Sequence, residues 1–201
     1  MLHDRDYTLI IDRSGSMSTL DPIENQSRWS IVENCTLALA QQCEQFDLNG
    51  LSVHFFSNHF KRYRNISSSK VQEIFQENEP QSGTNLTIVL QDAFNNYFQR
   101  KADGQTKPNG ETIIVLTDGE PEHGISVSEV IVKASQQIER DEELAISFIQ
   151  VGSDPKATKF LKTLDDELQT LGAKFNIVDA VTVEDIKNMT LQDVLLNAIV
   201  D

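Results

Sequence analysis

The sequence predicts an α/β fold: a doubly wound, mostly parallel sheet of about six strands, one of them a short edge strand, flanked by about six helices. Its 201 residues are enough for one α/β domain with a substantial core. Short apolar runs alternate with segments of helical length, as in βα units that build a parallel sheet. Neither an internal repeat nor a linker-like segment interrupts this pattern, so we expect residues 1–201 to form a single domain.

Each predicted strand is a short apolar run bounded by polar or turn-forming residues. Asn49 and Gly50 form a turn into the second strand, and the charges of residues 60–64 suit an exposed sheet edge. Residues 112–117 are the clearest buried strand, because the run is almost wholly apolar. In chain order the predicted strands span residues 7–11, 51–56, 60–64, 112–117, 145–151 and 174–178.

The predicted helices follow from apolar residues at helical spacing and from residues that start or stop a helix. Ser27 is suited to cap the first helix, in which Ile31, Cys35 and Leu39 share one face. Gly152 and Pro155 separate the fifth strand from the helix that follows it. In chain order the predicted helices span residues 28–46, 70–76, 82 to about 100, 127–140, 157–170 and 183–200.

The charge balance and the cysteines exclude several classes of function. Asp and Glu number 31 against 17 Lys and Arg, and the resulting net charge of −14 argues against nucleic-acid binding. The sequence has no apolar run long enough for a membrane span and no recognisable signal peptide. Cys35 and Cys43 would lie about 12 Å apart along a helix, too far for a disulfide. Their spacing matches no zinc motif, and reduced thiols suit a reducing compartment, so we expect a cytoplasmic protein.

Polar side chains cluster directly after the first predicted strand. Asp12, Ser14 and Ser16 alternate along the loop that leaves this strand. In an extended segment alternate side chains face the same way, so one carboxylate and two hydroxyls would converge. The same residue types also favour turns, and this segment alone would be interpreted as a turn or a helix cap.

Two further segments lead to the interpretation of the cluster as a cation site. Thr84 lies at a predicted helix start, and Asp118 follows the strand at residues 112–117. In doubly wound sheets ligands bind outside the carboxyl ends of strands, where the strand order reverses. If the first strand and the strand at 112–117 flank that point, Asp12 and Asp118 face one crevice.

The residue types of this set indicate which ion it would hold. Two carboxylates and three hydroxyls form an all-oxygen set that suits Mg²⁺ best and Ca²⁺ or Mn²⁺ as well, rather than zinc. No third carboxylate completes the set, so we expect an open position for an Asp or Glu of a partner protein.

The three segments resemble the motifs of von Willebrand factor type A domains, in the family's order. The run from Ile10 to Met17, IIDRSGSM, resembles the family's D-x-S-x-S motif. Gly83-Thr84-Asn85 is similar to the second-loop threonine segment, and the run LTDGEP from Leu116 resembles the third-loop aspartate segment. The resemblance covers roughly residues 6–178.

The resemblance implies a Rossmann-like fold and a metal-ion-dependent adhesion site at the carboxyl edge of the sheet. Ser14 and Ser16 would bind the metal directly, and Asp12, Thr84 and Asp118 directly or through water. It further implies a protein-interaction module that is not an enzyme. Because the chain lacks a disulfide and a recognisable signal peptide, it looks closer to stand-alone bacterial cytoplasmic members, including tellurite-resistance-type proteins, than to extracellular members.

Two alternatives use the same residues. A strand that ends in Asp12 loosely resembles the nucleophile strand of haloacid-dehalogenase-like phosphatases, which would make the protein a Mg²⁺-dependent phosphotransferase. That family has a second aspartate two residues later, where this chain has Ser14. The other alternative is a calcium-responsive sensor, in which the ion at this site is the signal.

Overall fold

Six strands form one mostly parallel sheet in the computed structural model of the chain, which describes residues 2–46, 50–119, 121, 124–186 and 189–200. The strands are β1 (Asp6–Asp12), β4 (Leu51–Phe56), β5 (Phe60–Ile66), β6 (Glu111–Thr117), β7 (Leu144–Gln150) and β8 (Val178–Thr182), and a separate small hairpin consists of β2 (Leu20–Asp21) and β3 (Gln26–Ser27). The order across the sheet is β5-β4-β1-β6-β7-β8, and only β5 runs antiparallel to its neighbour. The predicted sheet, including its edge strand, is therefore confirmed.

Helices cover both faces of the sheet. They are α1 (Arg28–Cys43), α2 (Val71–Gln76), α3 (Leu86–Ala102), α4 (Gly124–Gln137), α5 (Pro155–Glu167), α6 (Val183–Ile186) and α7 (Leu191–Val200). Side chains of β1 alternate between the faces: Leu9 and Ile11 pack on the side of α1, α2 and α7, whereas Ile10 packs on the side of α3, α4 and α5. Among the described residues no helix is both long and apolar enough to cross a membrane.

The chain enters the sheet at β1, one of its two central strands. This position determines where a site can form. From β1 it proceeds to β4 and β5 on one side, and then returns to β6 on the other side of β1. The strand order therefore reverses between β1 and β6, which are paired in parallel. This is the point where a crevice opens at the carboxyl edge of a doubly wound sheet.

The predicted last strand, residues 174–178, is wrong by four residues, since β8 begins only at Val178. The preceding residues bind the end of α4 instead of β7. The Phe175 N–H donates to Ser135 Oγ at 2.9 Å, and Lys174 Nζ donates to the Ile138 carbonyl at 2.8 Å. Pairing with β7 starts where the Ile146 N–H meets the Ile177 carbonyl at 2.7 Å.

The predicted last helix, residues 183–200, is divided into α6 and α7 in the part of the chain that the structure describes. Thr190 and Asp193 explain the new start. The Asp193 N–H donates to Thr190 Oγ1 at 3.1 Å, and the Thr190 N–H donates to Asp193 Oδ2 at 3.1 Å. This reciprocal pair is a capping box, which satisfies two N–H groups at a helix start.

Candidate metal centre

The carboxyl ends of β1 and β6 bring the first and third sequence motifs together. Ile11 pairs with Leu116 in the parallel register, so Asp12 and Thr117 end adjacent strands at the same edge. Asp12 and Asp118 are both buried, with 0% and 1% of their surface exposed. The predicted common crevice for these two aspartates therefore has the expected strand arrangement.

The first motif folds back on itself by hydrogen bonds. Asp12 Oδ1 accepts the Ser14 N–H at 2.7 Å, and the Ser14 and Ser16 hydroxyl oxygens lie 2.9 Å apart. Residues Gly15–Ser18 form a 3-10 turn rather than the extended segment that the alternation suggests. The two hydroxyls still meet, because the turn folds Ser16 over Ser14.

The third motif closes this network. Asp118 Oδ1 accepts the Ser16 hydroxyl at 2.9 Å, and Asp12 Oδ2 accepts the Thr117 hydroxyl at 2.7 Å. The other oxygen of Asp118, Oδ2, lies 2.7 Å from Nη1 of Arg28. Four of the five predicted site residues are thus joined in one hydrogen-bonded network between the two strand ends.

Thr84 lies in a loop that is fixed at the same edge but is not part of this network. The Gln81 N–H donates to the Arg13 carbonyl at 2.6 Å, and the Asn85 N–H donates to the carbonyl of Ser57, directly after β4, at 2.9 Å. Thr84 is half-buried, and its hydroxyl forms no hydrogen bond with another described residue.

Gly83 allows this loop to approach the end of β4. Its φ is +94°, and a Cβ there would lie 2.0 Å from Oδ1 of Asn58. A side chain at position 83 would therefore have to displace the Asn58 side chain, and its backbone would be strained at this φ. Asn85 then caps α3 by accepting the Ile88 N–H at 3.3 Å.

Burial and charge both act on Asp12. Burial and, to a smaller extent, the negative charge of Asp118 outweigh the hydrogen bonds from Ser14 and Thr117, so that the pKa of its carboxyl is raised to about 6. Arg28 compensates the charge of Asp118 but does not pair with Asp12, and a buried carboxylate without a positive partner is unfavourable unless a cation compensates it. A divalent cation with oxygen ligands fits this donor set.

The hydroxyls are needed for such a site. Within the described ranges no three His, Cys, Asp or Glu side chains are grouped so that they could hold a metal. A cation here would depend on Ser14, Ser16 and Thr84 in addition to the two aspartates. Such ligands favour Mg²⁺, Mn²⁺ or Ca²⁺ over zinc.

Sequence reasoning missed two residues that contact the candidate ligands. Thr117 was recognisable, since it directly precedes Asp118 at the strand end. Arg28 is 90 residues away from Asp118 in the chain, and no local pattern indicates their contact. Glu120, Glu122 and His123, which continue the third motif, lie outside the described residues.

These features define an α/β domain with a polar site at the carboxyl edge of its sheet, and the comparisons with known proteins identify its family. The profile of the von Willebrand factor type A domain matches residues 7–120, which is more than half of the chain. The chain therefore belongs to this family. Its members are generally protein-interaction modules, and they often bind a divalent cation at an adhesion site.

One solved structure illustrates the shared fold. An aspartate-to-alanine mutant of the PilB minor pilin from Streptococcus sanguinis is similar with a TM-score of 0.63 and 16% sequence identity. The match covers 96% of this chain and 60% of the pilin chain. No curated protein sequence matches the chain significantly.

Proposed function

We propose that this chain is a divalent-cation-dependent protein-interaction module that binds an acidic residue of a partner protein. The observation that carries the proposal is the hydrogen-bonded network that joins Asp12, Ser14, Ser16 and Asp118 at the carboxyl edge of β1 and β6. Side chains from two distant parts of the sequence gather oxygen atoms at one point, which is the requirement for an oxygen-liganded cation site.

In this proposal each residue has a distinct part. Ser14 and Ser16 supply hydroxyl oxygens, and Asp12 and Asp118 supply the charge that attracts the cation. Thr84 supplies a further hydroxyl from a loop held near the same edge. A bound cation would provide an open position of positive charge for the carboxylate of a partner. The Thr117 hydroxyl holds Asp12 in place, since it donates to the carboxylate at 2.7 Å.

The proposal extends to the identity of the ion. We infer Mg²⁺, with Mn²⁺ and Ca²⁺ as other ions that the same oxygens suit. Calorimetric titration with Mg²⁺ and with Ca²⁺ separates a resident cofactor from a calcium signal. Micromolar binding of Ca²⁺ without comparable binding of Mg²⁺ would favour the calcium sensor.

The proposal also covers the chain as a whole. We propose that residues 1–201 act as one domain of a stand-alone bacterial type, that the protein is not an enzyme, and that it works in the cytoplasm. The packing of α7 against β7 supports a single unit, and the free thiols of Cys35 and Cys43 support a reducing compartment. The family match does not favour a phosphatase, and Ser14 cannot replace the second aspartate of that mechanism.

A pull-down from a lysate of the source cells tests the interaction. The immobilised wild type is compared in Mg²⁺ and in EDTA, next to Asp12→Ala and to Asp103→Ala. Asp103 is an exposed aspartate just after α3, so its variant controls for the loss of one negative charge. We expect a protein retained by wild type and Asp103→Ala in Mg²⁺ that is lost in EDTA and with Asp12→Ala. A set of retained proteins unaffected by both changes would refute the proposal.

A further inference from the structure

Arg28 holds one of the candidate metal ligands although it belongs to no motif. Its Nη1 lies 2.7 Å from Oδ2 of Asp118, and this carboxylate is 1% exposed. The Arg28 backbone N–H also donates to the Thr19 carbonyl, in the loop that follows Ser16, at 3.0 Å. Arg28 therefore links the first motif loop to the third.

The position of Arg28 is unusual for a basic residue. It is the first residue of α1, directly after the cap residue Ser27. Positive charge at a helix N-terminus opposes the helix dipole. The local helix therefore gives no reason for an arginine here, and the contact with Asp118 does.

The absence of a side chain at Gly152 leaves space for the Arg28 guanidinium. The guanidinium lies against the backbone of Gly152, just after β7, where a Cβ would come within 2.7 Å of Nε of Arg28. This Nε is buried and has no hydrogen-bond partner among the described residues. The side chain is only 19% exposed, so the contact is partly shielded from water.

A positive charge fixed on Asp118 changes the electrostatics of a cation site. Asp12 and Asp118 carry two negative charges, which a divalent cation would cancel. The guanidinium then leaves the loaded site with one net positive charge. The guanidinium therefore repels the cation while the site is empty. Once the cation is bound, the net positive charge of the loaded site attracts an anionic group.

We propose that Arg28 is a specificity-determining residue of the candidate metal centre, one that weakens the binding of the cation and strengthens the capture of a carboxylate by the loaded site. This inference rests on the proposed function, since it concerns the same site. An arginine within about 4–6 Å of a carboxylate lowers the affinity of that carboxylate for a proton by roughly ten-fold or more, and we expect a change of the same sign and similar size for a metal cation. We expect effects of that size in both directions.

The experiment measures the two affinities separately with Mn²⁺ and acetate as probes. Mn²⁺ binding is followed by the electron paramagnetic resonance signal of the free ion, and acetate binding to the Mn²⁺-loaded protein by water proton relaxation. Arg28→Gln removes the charge, and Arg28→Lys keeps it. Arg62→Gln is the matched control, because Arg62 pairs with Asp92 on the surface at 3.1 Å.

We expect Arg28→Gln to bind Mn²⁺ about ten-fold more tightly than wild type, and its loaded form to bind acetate about ten-fold more weakly. Arg28→Lys should stay close to wild type in both, and Arg62→Gln should match wild type. A purely structural role of Arg28 would not move the two affinities in opposite directions. Equal or weaker Mn²⁺ binding by Arg28→Gln, or an Arg28→Lys that behaves like Arg28→Gln, would overturn the inference.

Failure of the proposed function has a different signature. If neither wild type nor Arg28→Gln binds Mn²⁺, or if Asp12→Ala binds it as well as wild type, the metal centre itself is refuted and this inference with it. Circular dichroism checks the fold of each variant before titration. Arg28→Met, which is similarly long and uncharged, replaces Arg28→Gln if the latter does not fold.

Discussion

Asp12 is the residue on which the candidate metal centre depends most directly. Its carboxylate is fully buried and accepts hydrogen bonds from the Ser14 N–H and the Thr117 hydroxyl. Burial nevertheless raises the pKa of this carboxyl to about 6, which means that the ionised form is disfavoured in the fold. A bound cation would therefore stabilise the ionised form of Asp12 in the folded protein.

Replacement of Asp12 by Asn tests this directly. Because the pKa in the fold lies above that of the unfolded chain, ionised Asp12 lowers the free energy of unfolding above pH 6 and does so less as the pH falls. Asn keeps an oxygen that accepts the Ser14 N–H, and its NH2 group can donate to the Thr117 hydroxyl, which then accepts rather than donates. In EDTA at pH 7.5 we expect Asp12→Asn to unfold in urea with a free energy about 2 kcal/mol higher than wild type.

Addition of Mg²⁺ should make wild type more stable to unfolding than Asp12→Asn. At about 100 times its dissociation constant, a ligand that binds only the folded state adds roughly 2.7 kcal/mol of stability. Wild type should gain this stabilisation and Asp12→Asn should not. Asp103→Asn is the control and should follow wild type. An Asp12→Asn variant that is less stable than wild type in EDTA would contradict the conclusion that burial disfavours ionised Asp12.

At the scale of single residues, the sequence predicts what is local and misses what is distant. Asp12, Ser14 and Ser16 lie within five residues, and their spacing identifies them. Arg28 gave no such signal, because its meaning comes from Asp118 across the fold. Thr84 is intermediate: its loop reaches the predicted edge, although its hydroxyl forms no hydrogen bond with the other four side chains.

At the scale of elements, Arg5 stabilises the amino edge of the sheet, which lies opposite the candidate metal centre. It directly precedes β1. It is fully buried and donates to Thr112 Oγ1 at 2.6 Å and to the carbonyls of Glu111 at 2.8 Å and Glu142 at 2.6 Å. It also donates to the carbonyl of Asn109. Burial lowers the pKa of its guanidinium to about 10, so it remains charged at neutral pH. Arg5 thus connects the start of β1 to β6 and to the loops before β6 and β7.

We expect Arg5→Met to lower the free energy of unfolding by about 3–5 kcal/mol, because several buried oxygens lose their donor at once. Arg5→Lys should recover little of this, since one ammonium cannot reach all four acceptors. The control is Arg140→Met, an exposed arginine that donates to the Pro108 carbonyl at 3.2 Å and should change stability by less than about 0.5 kcal/mol. Urea unfolding measures all three, and an Arg5→Met as stable as Arg140→Met would refute this role.

The elements that sequence patterns located well are those whose own composition decides their structure. The apolar run of β6 is buried on both faces at every position. Such a run is compatible with few structures other than a buried strand. β8 shows the opposite case, because Phe175 is apolar enough for a strand but binds Ser135 of α4. The β2–β3 hairpin was not predicted at all, since it has only two residues in each strand.

At the scale of the whole molecule, the net charge of −14 has a consequence for the proposed partner. An acidic group approaches this surface against a repulsive field, which salt screens beyond about 10 Å. In the proposed function, capture of a carboxylate would therefore depend on the short-range charge of the cation site, to which both a cation and Arg28 would contribute.

The stability of the whole molecule in acid should depend on His54. This residue of β4 is 2% exposed, stacks on Phe60 at a ring distance of 6.1 Å, and has an Nδ1 without a hydrogen-bond partner among the described residues. Burial, together with the nearby charges of Arg62 and Arg64, lowers the pKa of its imidazole to about 4. His54 is therefore neutral in the fold at pH 5, whereas it is largely protonated in the unfolded chain.

Since the unfolded state binds the extra proton, stability falls as the pH drops below about 6.5 and this loss levels off below pH 4. Between pH 7.5 and pH 5 the loss due to His54 is about 2 kcal/mol. We expect His54→Phe, which keeps a ring next to Phe60, to lack this part of the loss in urea unfolding at the two pH values. His59→Phe, at an exposed position, should lose as much stability as wild type. If His54→Phe and wild type lose stability equally, His54 is protonated in the fold at pH 5 and the burial argument for its pKa is wrong.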